Sequence, residues 1–168
     1  MPIPEFIIDL RRRVGHDPLW LMASSGIVLR ELDGVDHVLL VRTRDDDSWT
    51  VTAGLIDPGE EPHDAAVREV LEETGVACRV DRLAWVYTGP PVVHLNGDQA
   101  QYVELVFTCS WLSGEPFAAD DESTDAGWFP VEDLPEMSPH QRARIAAGRA
   151  LGPPWLGLGA GLDKAGET

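Results

Sequence analysis

Glu69, Glu72 and Glu73 stand close together, with Arg68 beside them and Asp57, Glu60 and Glu61 just upstream. On a helix turning about 100° per residue, Glu72 lies at about 300° and Glu73 at about 40° from Glu69, so the three carboxylates share roughly 100° of arc. Like charges four residues apart cost an exposed helix a few tenths of a kcal/mol, whereas a helix selected for solubility favours Glu–Lys pairs. Acids gathered in this way either share protons or hold a hard cation. The donors are oxygen alone, which suits Mg²⁺ or Mn²⁺. With no cysteine nearby and only His63 in reach, zinc fits poorly. The plainer alternative is a solvated acidic helix face.

Composition limits the partners. Thirteen Lys and Arg against 29 Asp and Glu leave a net charge of −16 on 168 residues, a surface that repels nucleic-acid backbones and anionic lipid heads. A small phosphate can still approach if cations stand between. Hydrophobic residues at 43% and charged residues at 25% describe an ordinary globular chain and exclude wholesale disorder. Cys78 and Cys109 cannot build a disulfide framework or a four-cysteine zinc site, and they read as reduced, buried thiols of a cytoplasmic protein. Arg11, Arg12 and Arg13 follow the first short apolar run instead of preceding it, unlike a secretory signal. No apolar run approaches the roughly 20 residues of a membrane span.

The stretch from Gly54 to Val76, GLIDPGEEPHDAAVREVLEETGV, resembles the Nudix box of the Nudix hydrolases. Gly54, Glu60, Arg68, Glu69, Val70, Glu72, Glu73, Gly75 and Val76 fill every defined position of that pattern. A chance match in a chain of this length has odds on the order of 10⁻⁷ from average residue frequencies. One departure is Thr52-Ala53-Gly54, where the family often has Pro-Gly-Gly.

The resemblance implies an α+β protein, an α/β/α sandwich with a mixed sheet. It further implies a metal-dependent hydrolase that splits the diphosphate of a nucleoside diphosphate linked to another group. Glu69, Glu72 and Glu73 would be metal ligands with the Gly54 carbonyl, and Glu60 and Arg68 would brace the loop and orient the carboxylates. Glu69 is the first choice as general base. Members often add an acid from a later loop. In Asp120-Asp121-Glu122 the candidate is Glu122, with Glu104 as the alternative and solvated loop charges as the plain reading. Pro90 and Pro91, 14 and 15 residues beyond Val76, resemble the ADP-ribose-cleaving members. The rival readings are a pyrophosphatase of oxidised nucleoside triphosphates, a non-catalytic nucleotide-binding module, and a calcium-binding or structural acidic domain. The expected partner is a small nucleotide, with no nucleic acid and no membrane. Trp49 and Tyr87 are candidates to stack on a base and His94 to touch substrate, although Trp49, Trp85, Tyr87 and Trp111 also fit a core.

The elements that must position these residues follow from patterning. Residues 62–74 read as an amphipathic helix stopped by Gly75, with Ala66, Val67, Val70, Leu71 and Thr74 toward the core. Residues 19–29 and 37–43 read as strands joined by the Asp33-Gly34 turn. Residues 78–94 and 99–112 read as longer strands joined by Asn96-Gly97, with Pro90 and Pro91 interrupting the first. Short strands are expected near Trp49–Thr52 and Trp128–Val131, and a last helix begins at Ser138-Pro139 with Gln141 placed for a cap. Three regions result: an amino-terminal helical arm over 1–18, the hydrolase domain over 19–150, and a loosely ordered Gly/Pro-rich tail over 151–168. Residues 4–14 pack on their own domain or swap onto a partner subunit, and a homodimer is expected.

Overall fold

Alternating apolar residues and turn glycines fold into a sheet flanked by three helices, seen in a computed structural model that describes residues 3–157. In chain order the elements are α1 (Glu5–Val14), β1 (Leu19–Leu32), β2 (Val35–Thr43), β3 (Trp49–Thr50), β4 (Thr52–Leu55), α2 (Pro62–Thr74), β5 (Ala77–Thr88), β6 (Val92–Val93), β7 (Gln99–Ser113), β8 (Ser123–Pro130), α3 (Pro139–Arg149) and β9 (Trp155–Leu156). The β1–β2 turn places Asp33 at φ 51° and Gly34 at φ 77°, the pair of positive values that a tight hairpin needs. Pro90 and Pro91 break the fourth expected strand as anticipated, leaving β5 and the two-residue β6.

The strands run β3-β2-β1-β7-β5-β9, with β4 on β1, β6 on β7 and β8 on β2. β1 and β7 are parallel and the β5–β7 pair is antiparallel, so the sheet is mixed. Side chains alternate across it. Val28 meets Ala66 and Val70 of α2 on one face, while Ile27 meets Ile145 and Ala147 of α3 on the other. Leu21 shares the face of Ile27 and carries Ile7 of α1. The result is the α/β/α sandwich.

Two ends are secured by residues that local pattern does not announce. The Arg82 guanidinium donates to the carbonyls of Ala147 (3.1 Å), Gly148 (3.0 Å) and Ala150, closing the carboxyl end of α3. Trp85 Nε1 donates to Gly157 O at 2.6 Å, and Trp155–Leu156 pair in parallel with β5. The beginning of the Gly/Pro-rich tail is therefore a strand, because the sheet edge offers partners that composition does not reveal. Residues 158–168 lie outside the described residues.

Candidate active site

α2 is fixed at both ends. Pro62 occupies its first turn, and Gly75 ends it at φ 68°, ψ 5° with its N–H on Leu71 O at 2.9 Å. The helix buries Ala65, Ala66, Glu69, Val70, Glu73 and Thr74. Leu71 is 51% exposed, which corrects its expected place in the core. The buried stripe turns toward the acids, where Glu73 finds a partner on β4 and Glu69 finds one in Arg68.

Among the described residues β4 pairs with β1 alone, which leaves its other margin open. Glu73 Oε1 accepts from Ala53 N at 3.1 Å, and Arg68 Nη2 donates to Leu55 O at 3.0 Å. Two α2 side chains thus bond an amide and a carbonyl on that margin. Arg68 also forks onto Glu60, Nε to Oε1 at 2.8 Å and Nη2 to Oε2 at 2.9 Å, while its Nη1 reaches Glu69 Oε1 at 2.6 Å and Glu72 Oε2 at 3.2 Å. Glu60 Oε2 accepts from Asp57 N at 3.1 Å, which ties the loop before α2 to the same guanidinium. Glu60 and Arg68, expected to brace the loop, are joined by these contacts to each other, to Asp57 N and to Leu55 O.

Burial dominates the protonation of the acids. Glu69 is 1% exposed and Glu73 9%, whereas Glu72 is open to solvent. Burial raises the Glu69 carboxyl against the opposing pull of Arg68. Burial pushes Glu73 up to about 8, aided by the charges of Glu69 and Asp120. The Arg68 hydrogen bonds hold Glu60 below its ordinary value.

A cleft of about 1010 Å³ opens over this helix face. Its lining includes Gly54, Arg68, Glu69, Glu72 and Glu73, and the loop before β8 adds Asp120 and Glu122. That loop is tied to the end of α2 by Phe117 N on Thr74 O and Ala119 N on Glu73 O, both 3.1 Å. Asp120 Oδ1 in turn accepts from Glu122 N (3.2 Å) and Ser123 N (3.0 Å). With Asp45, Asp57 and Asp98, eight carboxylates line the cleft against two guanidiniums, Arg11 and Arg68. A phosphate cannot enter such a field without cations.

Other expected residues divide. His94 lines the cleft, its Nε2 2.8 Å from the Tyr102 hydroxyl. Tyr87 does not: it is 3% exposed, and its hydroxyl bonds Glu104. Glu104 pairs with Arg144 and accepts from Ser25 Oγ, so it belongs to the interior beneath α3 and not to the cleft. Trp49 packs edge-on against Phe129, with ring centroids 4.6 Å apart, away from the acids. Asp45, Asp98, Asp120 and Arg11 were not expected at the site. Only the Asp-Asp-Glu run hinted at Asp120.

The oxygen-only donor set of Glu69, Glu72 and Glu73 fits a hard divalent cation. Among the described residues no three such groups already converge as a ligand cluster, since Arg68 and the β4 margin engage them.

Comparison with known proteins decides the family. The model of the NUDIX domain matches residues 20–148, most of the chain. The chain belongs to the Nudix hydrolases. A MutT-like protein of Streptomyces ambofaciens is 33% identical over 119 residues, covering 71% of this chain and 70% of its own. An ADP-ribose pyrophosphatase of Methanocaldococcus jannaschii is 27% identical over 120 residues, covering 70% and 66%. A crystal structure of a UDP-X diphosphatase superposes with a TM-score of 0.58 at 25% identity, covering 86% of this Nudix chain and 68% of its own.

Proposed function

We propose that this Nudix hydrolase is a divalent-metal-dependent pyrophosphohydrolase of nucleoside diphosphates joined to a second group, with ADP-ribose or a nucleotide sugar as the substrate class. The observation that carries the reading is the set of Glu69, Glu72 and Glu73 on one helix face at the floor of a cleft where carboxylates outnumber guanidiniums four to one. A site so charged is suited to a substrate that arrives with cations. Relatives named for ADP-ribose and for UDP-linked diphosphates favour the same class.

Glu69, Glu72 and Glu73 would hold Mg²⁺ or Mn²⁺, with the Gly54 carbonyl and Glu122 as further oxygen donors. When bound, the metal neutralises the diphosphate and acidifies water for in-line attack at phosphorus. The chain's own residues do the rest. Arg68, locked to Glu60, fixes the side-chain angle of Glu69 and Glu72. Glu69, buried at the floor of the cleft and held by Arg68, is the residue proposed to take the proton of the attacking water. His94 and Tyr102 line the route by which the remainder of the substrate leaves the acidic floor.

Screening for the two phosphomonoester products, read as phosphate freed by an added phosphomonoesterase, over nucleoside diphosphate sugars, ADP-ribose, dinucleotides and triphosphates, with Mg²⁺ or Mn²⁺ and with a chelator, tests this. Chelator-sensitive hydrolysis of a diphosphate-linked nucleoside is the expected result. A preference for triphosphates would move the chain to nucleotide-pool clearance, and tight binding without hydrolysis would make it a sensor.

A further inference from the structure

The cleft lining is of two chemical kinds. Its floor at α2 is acidic, whereas Ile3 and Ile7 from the chain before β1, Leu21 of β1 and Tyr102 of β7 add apolar surface to its lining. Ile3 and Ile7 come from the chain before β1, outside residues 20–148 that the family domain spans. Ile7 is buried in one cluster with Leu21 and Ala100, with Leu55 and Tyr102 packed against it. α1 is therefore part of the cleft wall and not an appendage.

The far end of α1 is fastened by Arg11. Its Nη1 donates to Gly15 O (3.1 Å) and Asp17 O (2.7 Å), its Nη2 donates to Gln99 O (2.7 Å), and its Nε lies 3.4 Å from Asp98 Oδ1. His16 Nδ1 meets the same Asp98 oxygen at 2.7 Å. Asp98 and Gln99 belong to the β6–β7 hairpin, which also carries His94 and Asn96 into the cleft. Arg11 is committed to protein groups and acts by position. Because a diphosphate with its cations belongs at the acidic floor, a different part of the substrate meets the apolar surface. A nucleobase suits it, with apolar faces for Ile3, Ile7 and Leu21 and a polar edge for His94 and Asn96.

We propose, resting on the pyrophosphohydrolase reading above, that α1 is the specificity wall of this enzyme: it sets the apolar surface of the cleft against the nucleobase, with Arg11 as the positioning residue that clamps it to the β6–β7 hairpin. The test compares ADP-ribose with 5-phosphoribosyl diphosphate, which carries a diphosphate but no base, for the wild type, Arg11→Ala and Ile3→Ser. Ile3 is more than half exposed, so its substitution leaves the core intact and decides the matter if Arg11→Ala fails to fold. Arg11→Ala should raise KM for ADP-ribose about ten-fold and Ile3→Ser a few-fold, with the loss on KM and not on kcat, and the preference over the base-free compound should fall in proportion. An unchanged preference, or equal losses on both compounds, overturns the wall. If the wild type cleaves neither compound nor any nucleotide sugar, the pyrophosphohydrolase reading fails separately. Calorimetric titration with magnesium-ADP then reads the wall directly: about ten-fold weaker binding by Arg11→Ala supports it and equal binding overturns it.

Discussion

The Glu69 carboxyl occupies the space where a side chain at residue 54 would begin: a Cβ on Gly54 would lie 2.0 Å from Glu69 Oε1 and 2.4 Å from Oε2. The backbone at Gly54 has no positive φ, so glycine is needed there for proximity and not for conformation. Gly54→Ala should therefore push the carboxylate aside while leaving the fold intact, since the displaced atoms are the end of a side chain. We expect kcat/KM to fall about 10²-fold with a nearly unchanged melting temperature. Full activity in this variant would show that Glu69 need not sit where it does.

Glu72→Gln and Glu73→Gln keep volume and hydrogen-bonding capacity but remove charge. Turnover should fall about 10²–10⁴-fold in each, with circular dichroism like that of the wild type. Glutamine at residue 73 can still accept from Ala53 N, so loss of fold is not expected there. Wild-type turnover in either variant would refute the metal-ligand assignment.

Arg68 grips Glu60 with two parallel hydrogen bonds, a geometry that lysine cannot reproduce. Arg68→Lys should lower activity or metal affinity by about 10–100-fold, as is usual when the partner that orients a ligand is lost. Titration of the variant with Mn²⁺ and initial-rate measurements would read both quantities.

Gly75 caps α2 at φ 68°, and a Cβ there would also meet the Phe117 ring at 2.2 Å. Gly75→Ala should cost about 1–3 kcal/mol in urea unfolding, through the left-handed backbone and the displaced ring. An unchanged midpoint would show that the end of the helix relaxes freely.

A pH effect should come from His140, which packs against Trp85 and Tyr87 at centroid distances of 5.9 and 5.0 Å. Burial and then the Arg144 charge hold its pKa below the ordinary 6.5, with Glu104 opposing them. The folded state resists the proton more than the unfolded chain does. Its contribution to stability is therefore fully present above 6.5 and is lost as pH falls below that value. Melting temperatures from pH 7.5 to 5 should decline less in His140→Gln than in the wild type, and parallel curves would sink the assignment.

The carboxylate set was legible because its spacing is local: residues 54–76 carry their own loop and helix. The turns at Asp33-Gly34 and Asn96-Gly97 and the Ser138 cap, which accepts from Gln141 N, were legible for the same reason. The face of α2 was not. The helical wheel counted Leu71 as core and the glutamates as flank, but the true buried stripe is rotated by roughly 80° toward the acids. A hydrogen bond from the β4 margin offsets the burial of Glu73, the Arg68 guanidinium offsets that of Glu69, and no single-helix pattern contains that strand. Strand aromatics posed a similar problem. Tyr87 has the right type to stack on a base, yet only Glu104, distant in sequence, reveals that it serves the interior, and Trp49 packs on Phe129 outside the acidic cleft. Arg11 and Asp98 entered the cleft through α1 and a hairpin that meet only in three dimensions.

The pairing of β4 on one side alone carries a liability of a different kind. An uncovered row of amide and carbonyl groups is an invitation for another chain to add itself as a strand, and here the groups that answer it are a glutamate and an arginine of the proposed hydrolytic centre. Chemistry and resistance to self-association are thereby vested in the same two side chains. A substitution such as Glu73→Leu should forfeit solubility along with turnover, whereas Glu73→Gln should forfeit turnover alone.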